Sequence, residues 1–322
     1  MLSIDPKQTP VKDIHGYLLG GVGPRPIALV STISADGARN LAPFSFFNAF
    51  SANPPVVIFS PSRRLRDSTV KDTYTNLLES RECVIQAVTY DMAHQVNLAS
   101  ADFDSDVDEF IKSGLTPIES EVVKPPRVGE SPYQMECKLQ QMISLGEEGA
   151  AGNLALCEVV RFHIDEAIFV DGVMQPDRLD LIARMGGAFY CRASGPNVFS
   201  IPRPGKSPLG FDGIPGVIRK STIFTGNDLA QLAGVESVPK LAVACAYVEA
   251  AQAPEKTTEE KFYRFLHKLD YKQALAAARA LEIQNHPETT HHFELTAQCA
   301  LKSAGDTEFA WNVALYAHRK KL

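Results

Sequence analysis

No CxxC pair occurs among the six cysteines, Cys83, Cys137, Cys157, Cys191, Cys245 and Cys299. That spacing leaves no written zinc ribbon and no dithiol redox motif. Several of these cysteines sit in apolar runs (CVIQAV, LALCEVV, AVACAYV), which points to buried, reduced thiols and a reducing compartment. Long basic tracts are missing too. The basic clusters are Arg63, Arg64 and Arg66, and the tail Arg319, Lys320 and Lys321, within a net charge of −6. Neutralising nucleic-acid phosphates requires clustered positive charge, so no nucleic-acid partner is expected. No apolar run reaches bilayer length, and the opening MLSIDPKQTP has no hydrophobic core of a leader peptide. The expectation is a cytoplasmic protein with no membrane partner. Internal repeats and low-complexity tracts are absent.

What is present is ordinary globular material. The 322 residues are 45% hydrophobic and 22% charged, enough to bury a core without disulfides or structural metal. Ile27–Val30 reads as a strand, Ala35-Asp36-Gly37 as a turn with Gly37 at a positive φ, and Val56–Phe59 as a buried strand entered through Pro54-Pro55. Lys71–Ser80 reads as a short helix capped by Asp72 or Thr73, with Leu77 and Leu78 inward. Cys83–Val88, Gln134–Leu139, Leu154–Ile164 and Ala167–Val170 read as strands, and Met92–Ala101 as a helix. Many short strands with sparse helices suggest a barrel rather than a doubly wound parallel sheet.

Between Ser194 and Pro215 the chain is rich in Gly and Pro. After it the pattern is helical. Asn227 reads as a cap of a helix that stops at Gly234, and Thr257 and Glu260 stand at capping-box spacing. Phe262, Phe265, Leu266 and Leu269 repeat at helical spacing. Lys272–Ile283 and Phe309–His318 read as further helices, and Trp311 and Tyr316 as core. The expected division is 1–205 and 206–322.

The chemistry-bearing stretch runs from Gly23 to Thr73. Ser62, Arg63, Lys71 and Thr73 are the donor types a phosphate needs, and a helix starting near Lys71 adds backbone N–H groups at its positive dipole end. Ala42–Asn48 (APFSFFN) mixes aromatic and short polar groups suited to the faces and edge of a flavin ring. These features fit flavin mononucleotide, FMN. The same residues also read as a capped surface helix and a set of core phenylalanines, and the residues alone leave both open.

A set of segments in order then narrows the choice: GPRPIALVST, NLAPFSFFNAFSANPP, KDTYTN, DEFIKSGLTPIES, PPRVGESPYQMEC and ARMGGAFY. Residues 23–190 resemble the flavin-reductase-like FMN-binding split barrels, the family that includes flavoredoxin-type proteins. The resemblance implies a mainly β N-terminal domain, a Greek-key split β-barrel, with an α-helical C-terminal extension outside the minimal family pattern. It implies a homodimer that binds FMN near the subunit interface. It also implies NAD(P)H as electron donor, with free flavin, a monooxygenase or another redox partner as acceptor. Carried onto this sequence, Ala42, Ser45, Phe46, Phe47 and Asn48 line the ring and ribityl chain. Ser60, Ser62, Arg63, Lys71, Asp72 and Thr73 hold the phosphate end, and Arg25 with Arg184–Tyr190 closes the site. No nicotinamide-binding histidine of the kind some members carry near the C-terminus is evident. No protein acid or base is implied, because hydride transfer to flavin N5 is the cofactor's own chemistry. The leading expectation is an NAD(P)H-dependent flavin reductase. The alternatives are an FMN electron shuttle that docks on a redox protein, and a scaffold that keeps only a relic of the site.

Other patterns carry less. Gly21-Val22-Gly23-Pro24-Arg25-Pro26 lacks the third glycine of a dinucleotide fingerprint, and its prolines forbid the helix that should follow. Asp102, Asp104, Asp106 and Asp108 alternate like a calcium loop, but Val107 and Ser113 occupy the glycine and glutamate positions. His286, His291 and His292 lack a partner at helical spacing and read as an exposed helix start, so no metal is expected. His163, inside a predicted strand, reads as structural.

Overall fold

The computed structural model describes residues 1–322, which divide into two compact units, Met1–Ser200 and Ile201–Leu322.

The first unit is built on a seven-stranded antiparallel sheet. Its strands are β1 (Ala28–Ile33), β2 (Arg39–Phe44), β3 (Phe47–Ala52), β4 (Pro55–Phe59), β5 (Glu82–Gln86), β6 (Tyr133–Ser144) and β7 (Asn153–Ile164). Their order across the sheet is β2-β1-β5-β6-β7-β4-β3. The two outer strands, β2 and β3, are therefore consecutive in sequence, joined only by Ser45 and Phe46. Laid flat, strands about 4.8 Å apart would separate the outer pair of such a sheet by roughly 29 Å. Three residue steps span at most about 10 Å. The sheet must curl until its edges approach, and a barrel with one seam results. The Ser60 N–H donates to the Phe46 carbonyl at 2.9 Å, extending the β3–β4 ladder by one rung into the bend.

Alternation along the strands sorts the barrel's two faces. On β1, Ala28 and Val30 join one apolar cluster with Phe44, Phe59, Leu77, Ile85, Met135, Leu139 and Val159. Leu29 joins a second cluster with Leu41, Val88, Met92, Phe110 and Ile182. Helices α2 (Asp72–Ser80), α3 (Ala93–Ala99) and α4 (Glu109–Ser113) follow an N-terminal α1 (Val11–Gly21). The Ala35-Asp36-Gly37 turn joins β1 to β2 with Gly37 at φ 86°, as its sequence predicts. Cys83, Cys137 and Cys157 are fully buried, and all six cysteines are unpaired. The Cys137 thiol beside it, with burial, pushes the Cys83 thiol well up from its ordinary range, so it stays protonated.

The second unit packs α5 (Gly226–Ala233), α6 (Leu241–Glu249), α7 (Glu259–His267), α8 (Tyr271–Ile283), α9 (Thr289–Ala304) and α10 (Thr307–Ala317) around one apolar core. Trp311 and Tyr316 are buried in it, and the Trp311 indole N–H donates to the Leu232 carbonyl at 3.0 Å.

Several local expectations need correction. Of the two leucines, Leu77 is buried while Leu78 lies on the exposed face of α2. Lys71, not Asp72 or Thr73, is the N-cap of α2, and it makes no side-chain cap. Thr225 caps α5 in a capping box with Asp228, two residues before Asn227. Thr258, not Thr257, caps α7. Leu269 lies past the end of α7 and is exposed. These shifts share a cause, since cap strength depends on backbone geometry that neighbouring Ser, Thr, Asp and Asn compete to adopt. α1 buries no residue and so left no core periodicity to read. The histidine cluster also differs: His292 is fully buried, and its partner Glu259 comes from another helix.

One buried carboxylate organises the outer face of β6. Glu136 accepts from the N–H groups of Glu121, Val122 and Val123 at 2.8, 2.6 and 2.9 Å, and its Oε1 lies 2.6 Å from His163 Nε2. His163 is thus structural. Burial pushes the Glu136 carboxyl up, but these four partners outweigh it and hold the group below its usual range. A depressed folded-state value stabilises the protein above the unfolded carboxyl range, and that contribution is lost as pH falls through the folded value. Glu136→Gln should therefore lower stability by about 1–3 kcal/mol at neutral pH. In urea titrations the gap to the parent should close as the pH drops below the ordinary carboxylate range. A gap that persists unchanged there would show that the charge is not what matters.

Candidate functional site

The seam of the barrel brings Ala42–Phe47 beside the Ser60–Lys71 segment. Ala42 lies on β2 opposite Val30, and Ser45 and Phe46 form the bend between the two edge strands. Phe47 faces Phe59 across β3 and β4, and Asn48 faces Ile58. Phe47 packs on the inner cluster, whereas Asn48 is exposed and its Oδ1 accepts from the Ala49 N–H at 2.8 Å. Phe46 meets the His15 ring edge-on at 6.5 Å. The bend therefore offers half-buried aromatic and small surfaces at the end of an open strand.

Beside it runs the segment from Ser60 to Lys71. The Ser60 and Ser62 hydroxyls are 3.1 Å apart, and Ser60 Oγ accepts the Asn153 N–H at 3.1 Å. Arg63 is fixed by its backbone, which bonds both Ala151 and Ala150, and by one guanidinium bond to the Ser68 carbonyl at 3.0 Å. Its Nε is buried and has no partner. Lys71 lays its ammonium over the Phe44 ring at 5.2 Å. Burial, then the nearby Arg64, lowers the Lys71 pKa from its ordinary value against the opposing pull of Asp102 and Asp72. Arg64 is satisfied differently, by Asp102 at 3.0 Å and the Val70 carbonyl at 2.6 Å. An anion placed among Arg63, Lys71 and the serines would supply what these cations lack.

The start of α2 adds to this. Its first N–H groups have no intrahelical acceptor and stand at the positive end of the helix dipole. Asp72 would oppose an anion through its carboxylate, but that group turns toward Arg64 at 3.9 Å. The structure does not bring the Thr73 hydroxyl to this surface. Thr73 is 1% exposed, and its Oγ1 accepts from Asn40 Nδ2 at 3.0 Å. Asn40 and Asn76 both donate to Thr32, so Thr73 belongs to a buried network that locks α2 onto β1 and β2.

Arg25 is also placed otherwise than as a free closing group. Its guanidinium donates to the carbonyls of Leu19, Val22 and Met185, and reaches Ser45 Oγ only at 3.5 Å. It ties the end of α1 to the small sheet formed by Arg25–Pro26, Leu181–Arg184 and Tyr190–Ala193. Arg184 lies over the Tyr190 ring at 4.5 Å.

The sequence alone did not reveal the Leu145–Gly152 link between β6 and β7. It packs against Ser60–Leu65 so closely that a Cβ on Gly149 would fall 2.7 Å from the Leu65 carbonyl oxygen. Asn153 is fully buried, donates to the Pro61 carbonyl at 3.1 Å and leaves its own Oδ1 unpartnered. The glycine-rich run LGEEGAAGN was the available signal.

The flavin reductase like domain model matches residues 21–178. An uncharacterized protein of Aquifex aeolicus is 38% identical over 190 residues, covering 59% of this chain and 94% of that one. The crystal structure of nitrilotriacetate monooxygenase component B from Bacillus cereus superposes with a TM-score of 0.59 at 35% identity, over 62% of this chain and 98% of that one. This chain belongs to the flavin-reductase-like family. A split-barrel flavin reductase candidate of Shewanella frigidimarina, 22% identical, shares the fold with a TM-score of 0.54 over 63% of this chain and 99% of its own. The seamed barrel is thus a split barrel. The family match ends before Ile201–Leu322.

Two substitutions separate the anchoring from the structural residues. Lys71→Ala should weaken binding of a phosphate-bearing flavin by about 1.5–3 kcal/mol with the unfolding midpoint little changed. Thr73→Val should do the reverse, lowering stability by about 1 kcal/mol through the lost Asn40 bond. Equilibrium dialysis and urea unfolding of both variants check the pair, and equal effects on both readouts would remove the distinction.

Proposed function

We propose that this chain is an FMN-binding oxidoreductase that reduces flavin at the expense of NAD(P)H. The observation that carries the proposal is the pair of under-compensated cations, Arg63 and Lys71, set beside the half-buried APFSFFN bend at the barrel seam. Ser60, Ser62, Arg63, Lys71 and the first N–H groups of α2 hold the phosphate. Ala42, Ser45, Phe46, Phe47 and Asn48 orient the ring and ribityl chain. When bound, FMN supplies the redox chemistry by accepting hydride at N5. The residues around it position the ring, exclude water from one face and leave the other to a nicotinamide. No acid or base need come from the protein.

Two features bear on partners. β3 is an edge strand whose residues after Phe47 are all exposed, including Phe50 at 64%. Such an edge invites pairing with a second copy, which supports a homodimer. The relation to a monooxygenase component supports a monooxygenase as one acceptor of reduced flavin. The free thiols agree with a cytoplasmic setting, and no helix is long and apolar enough to cross a membrane.

A second reading rests on the unit beyond the family match, Ile201–Leu322. In it the chain is an electron shuttle and the added unit docks on a redox protein. An anaerobic spectrum of the FMN-loaded protein distinguishes the two. Bleaching of the flavin band by NADH or NADPH is the expected result. A retained flavin that no nicotinamide bleaches would favour the shuttle. Protein that neither retains FMN nor consumes NAD(P)H with excess flavin would contradict both readings.

A further inference from the structure

Three donor groups converge in the helical unit, far in sequence from the flavin site. Glu259 is the first residue of α7, His286 lies in the link between α8 and α9, and His292 is in the first turn of α9. Their donor atoms all lie within 4.8 Å of one another. His292 Nε2 is 2.8 Å from Glu259 Oε1, and His286 Nε2 is 3.9 Å from Glu259 Oε2. The two imidazole rings stand 5.0 Å apart. His292 is wholly buried, with Phe262 packed on it at 4.7 Å. Glu259 and His286 are 39% and 27% exposed, so the cluster opens to solvent on one side.

We propose that Glu259, His286 and His292 form a binding site for a divalent transition metal of the zinc type. Two imidazoles and one carboxylate are a borderline donor set that suits zinc, whereas calcium and magnesium call for oxygen ligands throughout. Metal–ligand bonds of about 2.0–2.2 Å in tetrahedral geometry need donor atoms roughly 3.2–3.6 Å apart. The separations of 2.8 Å to Glu259 Oε1 and 3.9 Å to Glu259 Oε2 lie on either side of that window, and the whole set lies within 4.8 Å, so rotation of the Glu259 carboxylate and the half-exposed His286 ring must bring the three donors together around the ion. The fourth position is left to water on the open side.

The protons balance without a co-reactant. Before loading, a proton lies between His292 Nε2 and Glu259. The metal takes that place, and the ring carries its proton on Nδ1, which has no other partner. His286 Nδ1 now accepts the Glu288 N–H at a long 3.3 Å. Loading moves the His286 proton to that nitrogen and gives up the contact. Three separate elements then share one ion, which ties the start of α7 to the link between α8 and α9.

The test is equilibrium dialysis of the full-length, untagged protein against Zn²⁺ after chelator treatment, with metal measured per chain. One Zn²⁺ per chain is expected. Glu259→Gln and His286→Ala should each weaken it by more than about tenfold, since even outer-shell partners of metal ligands commonly cost that much. Both positions are solvent-accessible, so the variants should keep the parent circular dichroism. Co²⁺ difference spectra give a second readout, with visible bands in the parent that the variants lack. A parent that binds no stoichiometric Zn²⁺ would overturn the proposal. So would binding that both variants retain undiminished, because the ion would then sit elsewhere.

Discussion

The two-residue link between β2 and β3 is the constraint on which the barrel depends. It forces the outermost strands of a seven-stranded sheet to meet, and it does so at Ser45 and Phe46. Closure is incomplete, so the seam keeps unpaired backbone and half-buried side chains where a fully closed barrel would have none. The Ser60–Lys71 segment crosses beside that seam and brings its cations there. Fold and candidate site thus have one origin: the topology that curls the sheet also makes the cleft.

Around the cleft, polar groups divide by whether the protein itself satisfies them. Arg25, Arg64, Thr73 and Asn40 are used internally, holding α1, α2 and the strands in place. Arg63 Nε has no partner, and the Lys71 ammonium rests on the Phe44 ring alone. Leaving a buried donor without a partner is costly, and an anion bound in this cleft would satisfy Arg63. The contrast between neighbours as close as Arg63 and Arg64 argues for a ligand more strongly than the count of basic residues does.

Much of this was legible in the sequence, and for definite reasons. β1 and β4 announced themselves through apolar runs flanked by turn residues, and Gly37 through the Asp-Gly pair. The family resemblance rested on ordered segments that span the barrel. Caps were misplaced by one or two residues at α2, α5 and α7, because neighbouring cap-forming residues differ only in backbone angles that tertiary packing decides. Thr73 looked like a phosphate donor because its type and position fit. Its partner Asn40 is 33 residues away, and local spacing cannot reveal that. The Leu145–Gly152 link and the Glu259 partner of His292 were hidden for the same reason. Each depends on a contact between segments distant in sequence.

The central claim is that the Ser60–Lys71 segment recognises a phosphate. The most direct test compares the affinities of the purified protein for FMN and for riboflavin, which differ only in that group. The account predicts FMN bound at least about tenfold more tightly, the effect of a charge-assisted contact of about 1.4 kcal/mol or more. Equal affinities for the two flavins would contradict it.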